Sequence, residues 1–199
     1  GVAVGRIVET EAYLAADEGI EEPILSGGDP LLLDNARLTD LTGRLESIAH
    51  MRRLRIHTRL PVVLPERVDS GLIRWLHASR LRPVMVIHAN HANEFDGHVR
   101  RALDALRQAD VTLLNQTVLL RGVNDSVEAL ANLSDALFEA GVLPYYLHLL
   151  DRVRGAAHFQ VSEPRALELM AQLRARLPGY LVPRLVREIA GEPAKRPVP

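Results

Sequence analysis

The chain has 199 residues and no cysteine, which excludes disulfide bonds, zinc–thiolate sites and cysteine-ligated iron–sulfur clusters. Aromatic residues make up only 4% of it, and no hydrophobic run approaches the roughly 18 residues of a membrane span. The formal net charge of −1 lacks the basic excess typical of a nucleic-acid-binding surface. No charged-then-apolar leader opens the sequence, so we expect a cytoplasmic protein with neither a membrane nor a nucleic-acid partner. Because the chain starts at Gly1, we also expect a fragment.

Lysine is almost as scarce as cysteine, since Lys195 stands alone beside 23 arginines. Arginine stays charged, whereas a lysine with a lowered pKa can attack a carbonyl carbon and form a Schiff base. Lys195 lies in the tail GEPAKRPVP and is therefore a candidate catalytic residue. The alternative is a solvated residue near the end of a chain.

Short β-type runs alternate with helical runs along most of the sequence. The β-type runs are 23–28, 53–60, 83–89, 111–119, 144–150 and 180–188, and the helical runs are 35–49, 70–79, 94–108, 126–140 and 163–176. Ser126 and Ser162 are placed as N-caps, and Gly141 and Gly179 as helix stops. Strict alternation predicts an α/β fold with a parallel sheet, either a barrel or part of one.

The second run alternates apolar residues with Arg53, Arg55, His57 and Arg59. A parallel sheet with helices on both faces has near-continuous hydrophobic strands, so this basic face indicates a polar lumen. A solvated edge strand is the alternative. Polar residues also follow the carboxyl ends of successive strands, where parallel α/β folds bind ligands. They are Asp29, His57, Arg59, His88, Asn90, His91, Asn115, Gln116, His148, Asp151 and Glu188.

Three of these positions indicate ligand chemistry. The stretch ILSGGDP lets a ligand approach the backbone of Gly27 and Gly28, with Asp29 ready to hold an ammonium group, although the same residues also form ordinary turns. If Lys195 forms its imine with pyridoxal phosphate, the cofactor's phosphate also needs a cationic site, and the arginine-lined strand can provide one. Asp151 and Glu188 can hold a cationic substrate, with an N-cap or a surface ion pair as the alternative for each.

Several longer stretches resemble the lysine 2,3-aminomutase family, and most closely its branch that supplies β-lysine for elongation factor P. The matching stretches, in the family's order, are SGGDPL (26–31), RLRIHTRLPVVLPERV (53–68), HANHANE (88–94), LLNQTVLLRGVND (113–125), PYYLHLLDRVRGAAHF (144–159) and GYLVPRLVREIAGEPAKRPV (179–198). The resemblance implies a partial (β/α)6 barrel of the radical S-adenosylmethionine type with a closing strand and tail. It also implies an aminomutase, an isomerase that converts (S)-α-lysine to (R)-β-lysine with S-adenosylmethionine, pyridoxal phosphate and a 4Fe-4S cluster.

The resemblance also assigns roles to individual residues. Lys195 matches the lysine that binds pyridoxal phosphate covalently, and Asp151 and Glu188 match positions that hold the far ammonium of the substrate lysine. Glu188 stands where the family has aspartate, so its reach differs. Four positions match the strand end that holds the methionine moiety of S-adenosylmethionine, and two more lie near the cofactors. The first group is Ser26, Gly27, Gly28 and Asp29, and the second is His88 and Gln116.

The departure from the family is the missing cluster motif. The family binds its cluster through CxxxCxxC upstream of SGGDP, and this chain contains no cysteine and no metal ligand to replace it. We therefore expect residues 23–199 to form a partial barrel that is inactive alone, with 1–22 a remnant of uncertain origin. A cluster-free module that binds pyridoxal phosphate or another ligand is the alternative. The open barrel edges also predict self-association.

A weaker resemblance concerns the stretch VGRIVETEAYLA, 4–15, which is similar to the catalytic segment of alkyladenine DNA glycosylases. In that family Glu11 would activate water and Tyr13 would stack on a flipped base. The histidine expected soon afterwards is missing, and no basic groove accompanies the segment. We expect no glycosylase function.

Overall fold

The computed structural model describes residues 11–151, 155–188 and 195–198, and in them a seven-stranded sheet curls into a partial barrel. The strands are β1 (Ile24–Leu25), β2 (Arg53–Thr58), β3 (Arg82–Ile87), β4 (Thr112–Leu119), β5 (Leu143–Leu149), β6 (Arg184–Arg187) and β7 (Arg196–Pro197). Their order in the sheet is their order in the chain. Strands β1 to β6 pair in parallel, and β7 returns antiparallel to β6. The predicted partial parallel barrel is confirmed.

The helices lie between the strands, as the alternation predicts. They are α1 (Asn35–Glu46), α2 (Leu60–Val63), α3 (Ser70–Ala78), α4 (Gly97–Gln108), α5 (Val127–Glu139) and α6 (Glu163–Arg176). Short 3-10 turns cover Pro30–Leu32, Pro65–Arg67, Ala92–Glu94, Ala157–Phe159 and Gly179–Leu181. Aspartates accept backbone N–H bonds at the starts of α1, α3 and α4, which satisfies donors that a helix leaves free.

One predicted helix start and two predicted cap or stop residues differ from the structure. The fourth helix begins at Gly97 rather than at residue 94, because Asp96 caps it and a separate 3-10 turn precedes it. Ser126 caps α5 as predicted, whereas Ser162 makes no capping bond from its side chain. The last helix, Glu163–Arg176, has the predicted bounds, but its stop is not Gly179: Leu177 is already extended, at φ −113° and ψ 151°, because it precedes Pro178.

The core lies between the outer face of the sheet and the helices. One cluster contains Leu54, Ile56, Met85 and Ile87 of the first strands, and a second is built around β5 and α6. The inner face of β2 instead carries the half-buried Arg53, Arg55 and His57 between the buried residues of its outer face. The alternation therefore separates an apolar outer face from a polar inner face, as the sequence predicts.

The helical residues 11–16 pack on the same core. Leu14 is buried, and its carbonyl oxygen lies 2.9 Å from His50 Nε2. Glu11 forms an ion pair with Arg44 at 3.6 Å, while Tyr13 is exposed. In the described part of the glycosylase-like stretch, Glu11 is thus engaged with α1. The boundary placed after residue 22 stays a prediction.

Arginine side chains tie loops to helix ends. The guanidinium of Arg80 donates to the carbonyl oxygens of Glu46 at 2.9 Å, Ile48 at 2.7 Å and Met51 at 2.7 Å, and so closes the carboxyl end of α1. Arg67 likewise donates to the carbonyls of Leu31 and Leu33. A planar group with five donors can bridge several carbonyls, which a lysine ammonium does less well.

Within the described ranges, no helix has both the length and the apolar character needed to cross a bilayer. Ile24 is exposed on β1, which is the first strand of the sheet. The predicted self-association through this edge stays a prediction.

Candidate functional site

A cavity of about 540 Å³ opens at the carboxyl ends of the parallel strands. It is lined by Ile24, Ser26, Gly27, Gly28, Asp29, His57, Thr58, Arg59, His88, Gln116, Glu188 and Lys195. The strand register brings these residues together, because neighbouring parallel strands end at one edge of the sheet and alternate side chains of each strand face inward. The volume is in the range of small-molecule sites.

Eight of the nine predicted site residues line this cavity. They are Ser26, Gly27, Gly28, Asp29, His88, Gln116, Glu188 and Lys195. The ninth, Asp151, is exposed two residues beyond β5 and is not among the lining residues. Its charge nevertheless acts on Lys195, so it lies within electrostatic reach of the cavity.

The glycine turn after β1 forms one wall. Gly27 and Gly28 have φ angles of 88° and 66°, a region that strongly favours glycine. No heavy atom lies within 4 Å of where a Cβ would stand on either residue, so the turn faces open space. Both peptide groups are therefore accessible to a ligand.

Asp29 anchors this turn to the end of β2. Its Oδ1 accepts hydrogen bonds from Leu31 N at 3.0 Å and Thr58 Oγ1 at 2.7 Å, and its Oδ2 accepts one from Arg59 N at 2.7 Å. Both carboxylate oxygens are thus engaged within the protein. Asp29 shapes the wall, and its predicted contact with a ligand ammonium stays a prediction.

Three histidines on the inner face are neutral at physiological pH. Burial, with the charges of nearby cations added, lowers the pKa of His57, His88 and His148 to about 4 each. The charge of Lys195 contributes to all three shifts. Each ring therefore has one unprotonated nitrogen at pH 7, which can accept a hydrogen bond, and one N–H donor.

Lys195 reaches the cavity from the residue before β7. Its Nζ donates to Gln116 Oε1 at 3.3 Å and lies 3.1 Å from His148 Nε2, and the Tyr146 ring centroid is 5.3 Å away. Burial lowers the pKa of Lys195, the charge of Glu188 opposes this, Arg55 adds to the lowering, and Asp151 also opposes it. A lowered pKa increases the fraction of neutral amine, which is the nucleophilic form.

The arginines of β2 divide into two groups. Arg53 Nε donates to Glu22 Oε2 at 2.8 Å, and Arg55 Nε donates to Glu22 Oε1 at 2.8 Å, so both are paired toward the amino end of the strand. Burial alone would raise the pKa of Glu22, but the hydrogen bonds from Arg55 and Arg53 outweigh it and the pKa is lowered. Of the arginines in the predicted phosphate-binding run, only Arg59 lines the cavity.

Comparison with known proteins relates this arrangement to one group of enzymes. The chain is 53% identical over 186 residues to the L-lysine 2,3-aminomutase of Escherichia coli K12, and 53% identical over 183 residues to that of Haemophilus influenzae. The chain is thus similar, over nearly its whole length, to lysine 2,3-aminomutases. The matches cover 94% and 92% of this chain but 54% of each relative, so the chain spans about half the length of the curated relatives it matches. The L-lysine 2,3-aminomutase of Clostridium subterminale is 37% identical over 97% of this chain.

Solved structures confirm the fold of this chain. A radical SAM methyltransferase from Sphaerobacter thermophilus superposes with a TM-score of 0.64 at 18% identity, covering 92% of this chain and 56% of that one. A domain of the pyruvate-formate lyase-activating enzyme from Bacteroides vulgatus superposes with a TM-score of 0.53 at 17% identity, covering 84% of this chain and 98% of that domain. No protein-family model matches the chain.

In and beside the cavity, three residues had no specific ligand contact predicted from the sequence: His57, Thr58 and His148. His57 and Thr58 line the cavity at the end of β2, and His148 contacts Lys195. The period-two alternation of β2 and the position of His148 on β5 were the available signals. Neither signal shows which inward side chain meets the tail, because that contact joins residues 47 positions apart.

The residues suit two of the three cofactors that the sequence resemblance implies. The lowered pKa of Lys195 favours its neutral amine, and Arg59 lines the same cavity, so the two residues suit an aldehyde that carries a phosphate. The open glycine turn suits a ligand bound through backbone groups. The cluster does not fit, because the chain has no cysteine and the described residues contain no group of three side chains placed to hold a metal.

Proposed function

We propose that this chain is part of a lysine 2,3-aminomutase that converts (S)-α-lysine to (R)-β-lysine for the modification of elongation factor P. The observation that carries the proposal is the position of Lys195. The single lysine of the chain is brought to the carboxyl-end cavity and donates there to Gln116. The names of relatives that are 53% identical support the same substrate class.

Lys195 would hold pyridoxal phosphate, and Arg59 is the lining residue with a positive charge suited to its phosphate. When bound, this cofactor stabilises charge or an unpaired electron next to the amino group of an amino acid. The neutral histidines add lone pairs to the cavity without adding positive charge. The phosphate therefore meets a site whose permanent cation, Arg59, lies at the end of β2.

Glu188 and Asp151 would bind the side-chain ammonium of the substrate lysine. Both raise the pKa of Lys195, so their negative potential extends into the cavity. An amino acid with a second ammonium group gains from this potential, whereas an analogue that ends in a methyl group does not. Lysine carries this second ammonium group, whereas norleucine, which is one heavy atom shorter, ends in a methyl group.

Ser26, Gly27 and Gly28 would hold S-adenosylmethionine through the open turn. No step is assigned to an iron–sulfur cluster, because the chain supplies no cysteine for it. We therefore propose that the 199-residue chain is inactive in radical chemistry by itself. A second candidate, favoured by the same absence, is a cluster-free module that binds pyridoxal phosphate or lysine.

The experiment loads the chain with pyridoxal phosphate and titrates it with L-lysine and with L-norleucine, following the visible absorbance. We expect lysine to bind about tenfold more tightly, since one charge-assisted contact is worth roughly 1.5–3 kcal/mol, and the preference to disappear in Glu188→Gln. Equal affinities in the wild-type chain would contradict the substrate assignment. β-Lysine formation by this chain with added S-adenosylmethionine and reductant would contradict its inactivity.

A further inference from the structure

A continuous line of hydrogen bonds runs across the inner face from β3 to β5 through Lys195. Gln116 Nε2 lies 2.8 Å from His88 Nε2, Gln116 Oε1 accepts from Lys195 Nζ at 3.3 Å, and Lys195 Nζ lies 3.1 Å from His148 Nε2. Each bond joins a different pair of elements. The four side chains are therefore held as a unit by strands β3, β4 and β5 and the segment before β7.

The direction of the first bond is set by the chemistry of the amide. A side-chain amide nitrogen only donates, so His88 Nε2 accepts and the ring carries its proton on Nδ1. This orientation leaves Gln116 Oε1 facing Lys195. The opposite amide orientation would need the other tautomer of His88 and would donate into the lone pair of the amine. The tautomer of His88 thus decides whether that lone pair is free.

The second acceptor is His148. Burial, with the charge of Lys195 as the next cause, holds the pKa of His148 at about 4, so its Nε2 lone pair accepts from Nζ at neutral pH. A neutral amine has two N–H groups and one lone pair. With one N–H donated to Gln116 and the other to His148, the lone pair points away from both acceptors.

The electrostatic surroundings favour positioning over proton transfer. The charged and titratable groups that face Lys195 are Arg55, His57, His88, Glu188 and Asp151, with Tyr146 beside them. A base with a pKa near 4 takes up a proton poorly at pH 7, where an efficient general base has a pKa close to the ambient pH. His148 is therefore suited to orient the amine and poorly suited to deprotonate it.

We propose that His148 is a positioning residue and that the line His88–Gln116–Lys195–His148 aims the lone pair of Lys195 into the cavity. The proposal rests on the proposed function for the identity of the aldehyde that Lys195 meets. The orientation of the amine is independent of that identity, so a small aldehyde without a phosphate tests it separately.

The test is reductive methylation of Lys195 with formaldehyde and cyanoborohydride from pH 6 to pH 10, quantified by mass spectrometry. Lys195 is the only side-chain amine of the chain, so its peptide reports one site. The variants are His148→Leu, which removes the acceptor, and His148→Gln, which keeps an acceptor oxygen. His77→Gln is the matched control, because His77 is exposed on α3.

We expect His148→Leu to lower the rate of Lys195 methylation at its high-pH plateau about tenfold, the effect of losing about one hydrogen bond. The same substitution should lower the apparent pKa of Lys195. His148→Gln restores most of the plateau, and His77→Gln leaves the profile unchanged. A wild-type plateau in folded His148→Leu would overturn the proposal. So would a failure of His148→Gln to exceed His148→Leu, or ¹⁵N NMR shifts that show His88 with its proton on Nε2.

The outcomes separate this proposal from the proposed function. If formaldehyde reacts as expected and pyridoxal phosphate forms no adduct, the orientation stands and the cofactor assignment fails. If pyridoxal phosphate adds to His148→Leu at the wild-type rate, the orientation fails and the cofactor assignment stands.

Discussion

Mild acid should destabilise this protein through the histidines of its cavity. The pKa of His57, His88 and His148 is about 4 in the folded chain, whereas an unfolded histidine titrates near 6.5. Between these two values the unfolded chain binds protons that the folded chain does not. Stability is therefore fully present above pH 6.5 and is lost as the pH falls through the window toward 4.

The magnitude follows from the width of this window. One pH unit of differential proton binding is worth about 1.4 kcal/mol for each group. His57 and His88 are half-buried and His148 is buried beside the open cavity. Solvent screening reduces each full contribution by about half, which leaves roughly 1–2 kcal/mol for each histidine across the window. Three histidines together should cost about 3–6 kcal/mol, a large fraction of the stability of an ordinary domain.

The assay is urea unfolding followed by circular dichroism, at half-unit steps from pH 7.5 to pH 4.5. His57→Leu removes one titrating ring and a buried Nε2 that has no hydrogen-bond partner. It should therefore reduce the acid-induced loss of unfolding free energy by about a third. The exposed His77→Gln is the control and should leave the curve unchanged. A free energy of unfolding that stays constant between pH 6.5 and pH 4.5 would refute neutral burial of these rings.

Two further predictions concern the scaffold. Arg80→Lys should lower the free energy of unfolding by about 2 kcal/mol, because a compact ammonium reaches the three separated carbonyls less well than the planar, five-donor guanidinium. Arg74→Lys, on the exposed face of α3, should change it by less than about 0.5 kcal/mol. Equal effects in urea unfolding would contradict the role of the guanidinium. Gly28→Ala should lower the free energy of unfolding by about 1 kcal/mol, because residue 28 has a positive φ, and it should weaken S-adenosylmethionine binding in equilibrium dialysis. Gly43→Ala, inside α1, should instead raise the free energy of unfolding by about 0.5–1 kcal/mol. The same sign for both glycines would contradict the assigned strain.

The fold was predictable because its signals are local. Strands of period two alternate with helices whose starts carry aspartate or serine caps, and β2 shows its two faces in the letters RLRIHT. The signals for the helix ends are local too, but more than one nearby residue can start or stop each helix. Asp96, and not Glu94, marks the start of α4, and Pro178, and not Gly179, ends α6.

The site was predictable in its residues but not in its contacts. The carboxyl ends of parallel strands lie at one edge of the sheet. The polar residues that follow these strands therefore come together there, independently of the details of packing. The partners of a buried group depend on the whole fold. The sequence placed Asp29 for a ligand ammonium, and the structure shows both its oxygens bound to the chain. It placed His148 on a strand end and could not show that Lys195 returns to it.

The most direct test of the central claim uses pyridoxal phosphate itself. The cofactor is added to the 199-residue chain, the adduct is fixed with borohydride, and its position is read by peptide mass spectrometry with Lys195→Arg as the control. We predict one reduced adduct, on Lys195, that is absent from the variant. A folded chain that carries no adduct, or carries it only on the terminal amine, would contradict the claim that Lys195 is the cofactor-binding lysine of this cavity.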